Sequence, residues 1–591
     1  MPTFTKVLVA NRGEIAVRIF RTLRELGIGA VAVYSDADRG RMHTRVADEA
    51  FRIGPGPADE SYLRSDILVE TALRAGAEAI HPGYGFLAEN AAFAQAVEDA
   101  GLTWIGPPAA AIELMGSKTE ARTAMRAAGV PIIPGATDPV RSVEEVVAIG
   151  DEIGYPLIIK AAAGGGGKGM ELVYDASEAP RAFEAAQRQG LKYFADDAVY
   201  VERYLENPRH VEAQVLADGH GTVLFLGERD CTMQRRHQKL VEETPSPAVG
   251  PALRGRIGDI AVNAARAAGY RSAGTIEGLL TAQGEYFFME MNTRIQVEHT
   301  VTELVTGLDL VREQILIAQG EPLSLRQEDV TLRGHAFECR INAEDVGKGF
   351  LPAPGLITAY EEPSGPGVRV DSGVRAGDEI SGLYDPMIAK LIVHDTTRET
   401  ARRRMLRALA EFRIEGPPTL IGFHAALLTE PCFVDGGTCH GIVESEELAE
   451  RANEMTELFS HRTTTIVNGA DGGQTRERVV AVEVDGRAFD VRLHVTEPPW
   501  APLGRSRRER AAAGGAAGSG AVASPMQGTV LKVLVGEGDP VTAGQVICVV
   551  EAMKMENEIA APRDGVVTDL GVASGQGITS GQLICVVAAD G

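Results

Sequence analysis

Cysteine and tryptophan are scarce in this chain, which has 6 cysteines and 2 tryptophans among 591 residues. No two cysteines form a C-x-x-C pair, and their low density argues against a disulfide scaffold and against a thiolate zinc site. A reducing compartment fits this usage best, so we expect a cytoplasmic protein. The two tryptophans carry no functional information.

Long apolar runs are also missing. No stretch approaches the roughly 18 consecutive apolar residues of a membrane span, and the apolar run at 7–10 is too short for a signal peptide. Basic residues are outnumbered, with 58 Lys and Arg against 82 Asp and Glu and a formal net charge of −24. Because such a surface repels polyanions, we do not expect nucleic acid as the principal partner. The lack of long apolar runs argues against a membrane.

Glycine, by contrast, is in excess, with 67 residues, about 11% against a background of about 7%. At roughly 150 residues per domain the length predicts about four domains. Short apolar runs alternate with amphipathic stretches over residues 6–110, which predicts βαβ units and a parallel sheet. A smaller α/β segment follows at 131–205, and longer strands, hairpins and helices continue to about 447. The Ala/Gly/Ser-rich stretch 511–521 predicts a flexible linker.

An internal repeat lies near the C-terminal end. Residues 528–550 match residues 565–587 at 11 of 23 positions with a constant offset of 37. Two such copies, rich in Val and Ile, predict a small sandwich or barrel with pseudo-two-fold symmetry and with Cys548 and Cys585 in its core. Between the copies stands Lys554, flanked by Met553 and Met555. A solvated lysine at a hairpin tip is the simpler interpretation, but the apolar flanks favour covalent loading of this lysine.

Four consecutive glycines precede Lys168: Gly164, Gly165, Gly166 and Gly167. The run is not a P-loop, because Gly169 stands where that motif requires Ser or Thr. Backbone N–H groups of such a run can still surround phosphates, and Lys160 ends the apolar strand-like run just before it. The pattern favours a phosphate-binding lid, with a plain flexible loop as the alternative.

Two glutamates are predicted to face each other across a hairpin. A two-residue turn at Gln283 and Gly284 would place Glu277 directly opposite Glu290. Facing carboxylates repel each other, and a divalent cation between them would remove the conflict. A site that offers only a few hard oxygen ligands from the protein suits Mg²⁺, because the nucleotide phosphates supply further ligands.

Period-two alternation continues after this hairpin. If the strand runs on, it places five polar residues on one face: Glu290, Asn292, Arg294, Gln296 and Glu298. Such a face indicates the floor of an active site, with an exposed strand face as the alternative. Nearby, residues 235–239 combine three cations with His237, which indicates an anion site. Cys231 with His237 or His210 matches no standard zinc spacing.

Together these motifs resemble those of the biotin-dependent carboxylases. They are ANRGEIA at 10–16, HPGYGFL at 81–87, the glycine lid, RRHQK at 235–239, EMNTRIQVEH at 290–299, RINAE at 340–344 and EAMKM at 551–555. In this family an ATP-grasp biotin carboxylase is followed by a biotin carboxyl carrier domain. The resemblance covers nearly the whole chain and is to α-subunits of acyl-CoA carboxylases of the acetyl- or propionyl-CoA type.

The resemblance implies a multidomain α/β and α+β protein: a Rossmann-like N-terminal domain, an ATP-grasp lid and core, and an all-β barrel-sandwich biotinyl domain. The expected domains are the N-terminal domain 1–116, the lid region 117–204, the ATP-grasp core 205–330, the biotin carboxylase C-terminal domain 331–447, a short connector with a β-hairpin 448–504, the linker 505–521 and the biotinyl domain 522–591.

The resemblance also assigns roles to residues. Contacts to ATP are expected from Lys118, Lys160, the lid glycines 164–167, Lys168, Glu202, Leu205, His210, Gln234, His237 and Leu279. Glu277, Glu290 and Asn292 would hold Mg²⁺, with Mn²⁺ as a substitute. Bicarbonate would lie among Lys239, Arg294, Gln296 and Val297. Glu298 would deprotonate it, Arg340 would stabilise the biotin enolate, and Lys554 would carry biotin.

The implied partners are a carboxyltransferase β-subunit, which would bring the acyl-CoA, and a biotin protein ligase, together with a second copy bound through the biotin carboxylase domains. Three positions depart from the usual family pattern: Gly278 in place of Phe, Thr300 in place of Pro, and Gln527 in place of Pro. Gly278 is expected to loosen packing under the hairpin and to weaken the nucleotide site. The connector is also much shorter than in α-subunits for propionyl or methylcrotonyl substrates.

Two other classes of function stay open at this point. One is an ATP-grasp ligase or carbamoyl-phosphate-type enzyme with a different acceptor, which the carrier repeat argues against. The other is a carrier or nucleotide-binding module without carboxylase activity. Pyruvate carboxylase is expected to need several hundred more residues.

Overall fold

The computed structural model describes residues 4–136, 139–161, 170–194, 198–236, 238–460, 475–484, 487–496, 520–552 and 555–588. The chain divides into two compact units, Met1–Phe459 and Ser460–Gly591, called the first and the second unit. Three larger sheets follow one another along the first unit. The second unit has a hairpin and then two four-stranded sheets.

The first sheet is parallel, with the strand order β3-β2-β1-β4-β5. Its strands are β1 (Lys6–Val9), β2 (Gly29–Ser35), β3 (Glu49–Gly54), β4 (Ala79–His81) and β5 (Thr103–Trp104). The helices of this region are α1 (Gly13–Glu25), α2 (Met42–Val46), α3 (Ser65–Ala75), α4 (Ala91–Asp99) and α5 (Ala109–Gly116). Val7, Leu8 and Val9 are all fully buried, as expected for a parallel strand covered on both faces. The predicted βαβ sheet is confirmed.

A small antiparallel sheet with the order β7-β6-β8 comes next. This region contains α6 (Lys118–Ala127), α7 (Val143–Ile153), β6 (Leu157–Ala161), β7 (Met170–Val173), α8 (Ala179–Phe194) and β8 (Val199–Arg203). Leu157, Ile159 and Val201 belong to its own buried core. The predicted glycine lid falls between β6 and β7, outside the described residues.

The third sheet has eight strands in the order β13-β12-β9-β10-β11-β14-β21-β19. Its strands are β9 (Arg209–Ala217), β10 (Val223–Arg235), β11 (Gln238–Thr244), β12 (Ser272–Leu280), β13 (Tyr286–Asn292), β14 (His335–Asn342), β19 (Val368–Ser372) and β21 (Met387–Asp395). Helices α9 (Pro251–Ala267), α10 (His299–Thr306) and α11 (Leu310–Ala318) interrupt it in sequence. The boundary expected at residue 330 thus lies between two strands of one continuous sheet.

Short strands and helices complete the first unit. The strands are β15 (Glu344–Asp345), β16 (Leu351–Pro352), β17 (Gly355–Leu356), β18 (Ala359–Glu361), β20 (Glu379–Ile380) and β22 (Arg413–Glu415). The helices are α12 (Arg398–Glu411), α13 (Ile421–Thr429), α14 (Pro431–Val434) and α15 (Glu446–Ser460). No helix among the described residues is both long enough and apolar enough to cross a bilayer.

The second unit begins with the predicted hairpin, formed by β23 (Thr475–Val484) and β24 (Arg487–Thr496). Its C-terminal part has β25 (Ala521–Ala523), β26 (Gly528–Val533), β27 (Pro540–Val541), β28 (Val546–Ala552), β29 (Met555–Ala560), β30 (Gly565–Thr568), β31 (Gly577–Ile578) and β32 (Leu583–Ala588). One sheet has the order β25-β32-β30-β27 and the other β29-β28-β26-β31.

The strands of the two sheets correspond to each other through the internal repeat. An offset of 37 converts β26, β27 and β28 into β30, β31 and β32, so the two sheets have equivalent strand orders. Each sheet therefore takes strands from both copies of the repeat. Cys548 and Cys585 are fully buried in the shared core, which confirms the predicted sandwich and the structural role of these two cysteines.

The cysteines show one departure from expectation. Cys231, Cys339, Cys548 and Cys585 are free and buried. Cys432 and Cys439, however, form a disulfide with a sequence separation of 7. The cysteine spacing did not predict this pair, and one local bridge of this kind is compatible with the absence of a disulfide scaffold.

Candidate active site

Glu277 on β12 and Glu290 on β13 are direct cross-strand partners, as the sequence predicted. The predicted two-residue turn is wrong. The strands are joined by a five-residue loop, 281–285, in which Thr281 N–H donates to the Glu285 carbonyl and Gly284 N–H to the Thr281 carbonyl. A register shift between Glu277 and Gly278 adds one residue on β13, and this bulge restores the pairing that a two-residue turn would give.

The strand does not continue to Glu298, because β13 ends at Asn292. The polar side chains still converge. Asn292 Nδ2 and Gln296 Nε2 donate to Glu277 Oε1 at 2.7 and 2.6 Å. Arg294 donates to Asn292 Oδ1 at 2.9 Å. These side chains therefore form one polar cluster, called the floor, although an irregular segment and not a strand carries its second half.

Lys239 on β11 is the central cation of this floor. Its Nζ donates to three carboxylates, Glu212 at 2.5 Å, Glu277 at 2.9 Å and Glu298 at 2.7 Å. Burial would lower the pKa of Lys239, but Glu212 and Glu298 outweigh burial and raise it well above the usual value. Lys239 is thus fixed in its charged form.

Glu298 lies between Lys239 and Arg340. Arg340 Nη2 donates to Glu298 Oε2 at 2.9 Å, and Arg340 Nε donates to Glu242 at 2.6 Å. Burial alone would raise the pKa of Glu298, but Lys239, Arg340 and then Arg229 together hold it well below the usual range. Glu298 is therefore an ionised carboxylate at neutral pH and can accept a proton.

Arg294 extends this group of charges toward the N-terminal sheet. Its Nε donates to Glu89 at 2.9 Å, in the loop before α4. Glu89 Oε1 also accepts from the backbone N–H of Thr293. The same loop therefore fixes both the side chain and the backbone of the irregular segment.

The two facing glutamates are suited to a divalent cation. Burial raises the pKa of Glu277, but Lys239 and His210 lower it far more, so Glu277 is ionised. His210 Nε2 lies 2.7 Å from Glu277 Oε2. The surrounding protein, and next the charge of Glu277, raise the pKa of Glu290, although its side chain reaches solvent. This mutual repulsion between carboxylates is what a bound Mg²⁺ would relieve.

Two groups of described residues have ligand atoms close enough for a metal ion: His210, Glu212 and Glu277, and Glu212, Cys231 and Glu298. In the second group, burial raises the pKa of the Cys231 thiol well above its usual value.

The predicted ATP contacts fall into a charged and an apolar set. Lys160 on β6 and Arg122 on α6 both donate to Glu202 of β8, Lys160 at 2.6 Å. Leu205 and Leu279 belong to one apolar cluster with Ile133 and Phe287. An apolar cluster and a charged cluster are the two kinds of surface that the base and the phosphates of a nucleotide require.

Other predicted residues lie around this centre. Lys118 begins α6, and its charge partly opposes the rise that burial and Glu277 cause in the pKa of Glu290. Gln234 pairs in register with Lys239 and donates to the Cys231 carbonyl. The carbonyl of Val297 accepts from Lys390 Nζ at 2.8 Å. The lid residues Gly164, Gly165, Gly166, Gly167 and Lys168, together with His237 and Lys554, lie outside the described residues.

Sequence reasoning missed Arg229 on β10, which is fully buried. Its guanidinium donates to Glu212, Gln214, Thr302, Thr275 and Gln296. It missed Glu212 too, which lies two residues after His210 and therefore on the same face of β9. Period-two alternation on β9 could have found Glu212. A lone arginine in a buried strand signals a network but does not identify its partners.

The expectation that Gly278 loosens the hairpin is wrong. A Cβ at this position would lie 2.3 Å from the ring of Tyr286. The Tyr286 ring is buried, and its hydroxyl donates to the carbonyls of Val211 and Ile276. The tyrosine thus fills the space that a side chain at 278 would occupy.

Models of four protein families match consecutive parts of the chain. They are the biotin carboxylase N-terminal domain at residues 3–112, the carbamoyl-phosphate synthase L chain ATP-binding domain at 117–326, the biotin carboxylase C-terminal domain at 338–445, and the biotin-requiring enzyme domain at 520–587. These matches and the site define a class, an ATP-grasp biotin carboxylase joined to a biotin-carrying domain.

Proteins with similar sequences make this assignment more specific. The chain is 47% identical over 566 residues to the biotin-dependent acyl-coenzyme A carboxylase alpha3 subunit of Mycobacterium leprae, covering 94% of each chain. It is also 54% identical over 433 residues to a pyruvate carboxylase subunit of Methanothermobacter thermautotrophicus, covering 73% of this chain and 88% of that one. The chain belongs to the biotin-dependent carboxylases, and it uses ATP and biotin as a biotin carboxylase.

A solved structure agrees with this assignment. The biotin carboxylase domain of 2-oxoglutarate carboxylase from Hydrogenobacter thermophilus, solved as a dimer with MgADP, ADP and bicarbonate, is 46% identical with a TM-score of 0.69. The match covers 76% of this chain and 99% of that chain. The length argument against pyruvate carboxylase does not hold, because 433 residues of this chain match 88% of a relative named as a pyruvate carboxylase subunit.

Proposed function

We propose that this chain is the α-subunit of an acyl-CoA carboxylase, which carboxylates biotin on its own carrier domain with ATP and bicarbonate. A separate carboxyltransferase subunit would then transfer the carboxyl group to acetyl- or propionyl-CoA, giving malonyl- or methylmalonyl-CoA. The similarity over 94% of both chains to an acyl-CoA carboxylase subunit supports this choice of acceptor. We also propose that the domains have the boundaries expected from the sequence.

The observation that carries the proposal is the position of Glu298 between two cations. Its two oxygens accept separately from Lys239 at 2.7 Å and Arg340 at 2.9 Å. Bicarbonate bound against Lys239 and Arg294 would therefore lie beside an ionised carboxylate that can take its proton. The cations offset the negative charge that builds up when the γ-phosphoryl group of ATP is transferred to bicarbonate.

Glu277, Glu290 and Asn292 would hold Mg²⁺ between the nucleotide and this floor, as the MgADP complex of the 2-oxoglutarate carboxylase domain supports. Lys118, Lys160 and the glycine lid with Lys168 would bind phosphates. Glu202, His210, Gln234 and His237 would contact the nucleotide, and Leu205 and Leu279 would pack on its base. Gln296 and Val297 would complete the bicarbonate site.

Biotin attached to Lys554 would supply the ureido nitrogen that accepts the carboxyl group. Arg340 would orient this group and stabilise its enolate form, because the guanidinium is held by Glu298 and Glu242. The proposed partners are a biotin protein ligase, a second copy of this chain, and a carboxyltransferase β-subunit. The domain dimer of the 2-oxoglutarate carboxylase relative supports the second copy.

The test is ATP hydrolysis by the full chain with and without bicarbonate. We expect bicarbonate-dependent hydrolysis that free biotin accelerates, and a loss of more than about a hundredfold in Glu298→Gln, within the usual contribution of a general base. Hydrolysis that ignores bicarbonate would instead support a nucleotide-binding module without carboxylase activity. Lys554→Ala should abolish the signal in a streptavidin blot while leaving the free-biotin reaction intact.

The acceptor is decided by a second assay. The partner subunit is copurified with the full chain, and acetyl-, propionyl- and longer acyl-CoA are compared with pyruvate and 2-oxoglutarate as carboxyl acceptors. Turnover with a CoA ester supports the proposal. Turnover with pyruvate alone would move this chain to the pyruvate carboxylase branch of the family.

A further inference from the structure

Two buried glutamates face each other next to Arg340. Glu242 on β11 and Glu338 on β14 are direct cross-strand partners, and neither side chain is exposed at all. Partners of this kind have Cβ atoms about 4.5–5.5 Å apart on the same face of the sheet. Two like charges would therefore be confined at a site that is not exposed to solvent.

Each carboxyl group has one satisfied and one unsatisfied oxygen. Glu242 Oε1 accepts from Arg340 Nε at 2.6 Å, and Glu338 Oε2 accepts from the hydroxyl of Thr300. Within the part of the chain that the structure describes, Glu242 Oε2 and Glu338 Oε1 have no hydrogen-bond partner. Buried polar atoms are rarely left unpaired. A single proton between these two oxygens would satisfy both.

The surrounding charges favour one proton as well. Arg340 is already shared between Glu242 and Glu298. Lys390 on β21 is the cross-strand partner of Arg340 on β14, and its Nζ donates to the Val297 carbonyl at 2.8 Å. No described cation within ion-pair distance of Glu338 compensates a second full negative charge, so ionising both glutamates carries a large desolvation cost.

We propose that Glu242 and Glu338 share one proton, and that this proton keeps the guanidinium of Arg340 positioned with its charge available to the biotin ureido group. The pair thus consists of positioning residues that act through Arg340. The role of Arg340 rests on the proposed function, whereas the shared proton does not.

The electrostatic setting agrees with this geometry. Burial raises the pKa of Glu242, Arg340 partly opposes it, and the charge of Glu338 raises it further. Burial also raises the pKa of Glu338, while Lys390 and the Thr300 hydroxyl lower it. Loss of the shared proton at high pH would place an extra negative charge beside Arg340 and weaken its field toward the substrate. Activity should therefore fall on the alkaline side.

Thr300 is the residue whose hydroxyl donates to Glu338. Its hydroxyl stabilises the ionised form of Glu338. Removing the hydroxyl in Thr300→Val should therefore move the alkaline decline to higher pH. Thr300→Ser keeps the hydroxyl and should leave the decline unchanged, which makes it the matched control.

The proton itself is detected by infrared difference spectroscopy on the full chain. Wild type minus Glu338→Gln at pH 6 should show the carbonyl stretch of one protonated carboxyl group, and this band should disappear as the pH is raised. Glu242→Gln is the second variant if Glu338→Gln does not fold. Absence of the band in either difference spectrum at every pH at which the proteins are folded would overturn the proposal.

The functional consequence is read from the pH profile of bicarbonate-dependent ATP hydrolysis accelerated by free biotin. Because the glutamine amide can replace the shared proton, Glu338→Gln should keep activity at neutral pH within about threefold and move the alkaline decline up by about one pH unit or more. Superimposable profiles would refute the positioning role.

Glu243→Gln is the control for general effects of losing a buried carboxylate. Glu243 belongs to the same strand but is paired with His335 and Arg398, so this variant should lose stability without moving the alkaline decline. If ATP hydrolysis by the wild type does not depend on bicarbonate, the proposed function is refuted. The infrared band then still shows whether Glu242 and Glu338 share a proton.

Discussion

Replacing Arg229 with methionine should destabilise the first unit by about 3–5 kcal/mol, because it removes one partner of a buried ion pair. Arg229 is fully buried and donates to Glu212 at 2.5 Å and to Gln296 at 2.7 Å. Its other bonds join β9, β12 and α10. The variant leaves the buried Glu212 with Lys239 as its remaining cation.

The expected shift in melting temperature follows from the size of this unit, which spans Met1–Phe459. At about 2.1 cal/mol/K per residue its entropy of unfolding is about 1 kcal/mol/K, so the melting temperature should fall by about 3–5 °C. Differential scanning calorimetry measures this shift. Because Gln296 and Glu212 lose their common donor, kcat for bicarbonate-dependent ATP hydrolysis should fall at least tenfold.

The matched control is Arg254→Met. Arg254 makes two hydrogen bonds to the buried Glu228, at 2.8 and 2.7 Å, and a third to the Val249 carbonyl, neither of which is proposed to bind substrate. Arg254→Met should therefore lower the melting temperature while kcat stays within twofold. The reasoning fails if Arg229→Met melts within about 1 °C of the wild type, or if both variants lose activity equally.

Three further outcomes are expected. Gly278→Ala should cost about 1–3 kcal/mol of stability by forcing a methyl group into the Tyr286 ring, and Gly278→Ala melting like the wild type would show that the ring can move away. Leu205→Ala should raise KM for ATP about tenfold with little change in kcat, because it removes part of the apolar cluster proposed to pack on the base; an unchanged KM would show that the base binds elsewhere. Alkylation of the denatured, unreduced chain should label four cysteines and leave Cys432 and Cys439 unlabelled, and six labelled cysteines would contradict the disulfide.

From the sequence alone, the pairing of the two glutamates in the hairpin was predicted correctly, whereas the backbone conformation of its loop was not. The pairing of Glu277 with Glu290 is correct, yet it arises from a five-residue loop and a compensating bulge, where a two-residue turn was predicted. Pairing can be predicted because two carboxylates and an alternating pattern leave few registers. A bulge cannot be predicted in this way, because its position depends on how Tyr286 packs against Gly278.

Residues whose function comes from distant parts of the chain were the ones missed. The floor is contacted by three residues from different elements: Arg229, Glu89 and Lys390. The sequence around each of these residues does not indicate that it lies at the floor. By contrast, Glu298 and Arg340 were identified because they belong to short motifs. The carrier sandwich was predictable because its repeat states the same strand pattern twice.

The arrangement of the two carrier sheets has a consequence for the order of events in the cell. β28 and β29, which precede and follow Lys554 in the sequence, form a sheet with β26 and β31, and β32 lies between β25 and β30 in the other sheet. A nascent chain that has emerged only as far as residue 580 would expose the sequence around Lys554 but would lack β32. Both β25 and β30 pair with β32, so the sheet could not yet form. If Lys554 carries biotin as proposed, we therefore expect attachment to follow the synthesis of β32, and chains truncated before β32 should not be biotinylated although they contain Lys554.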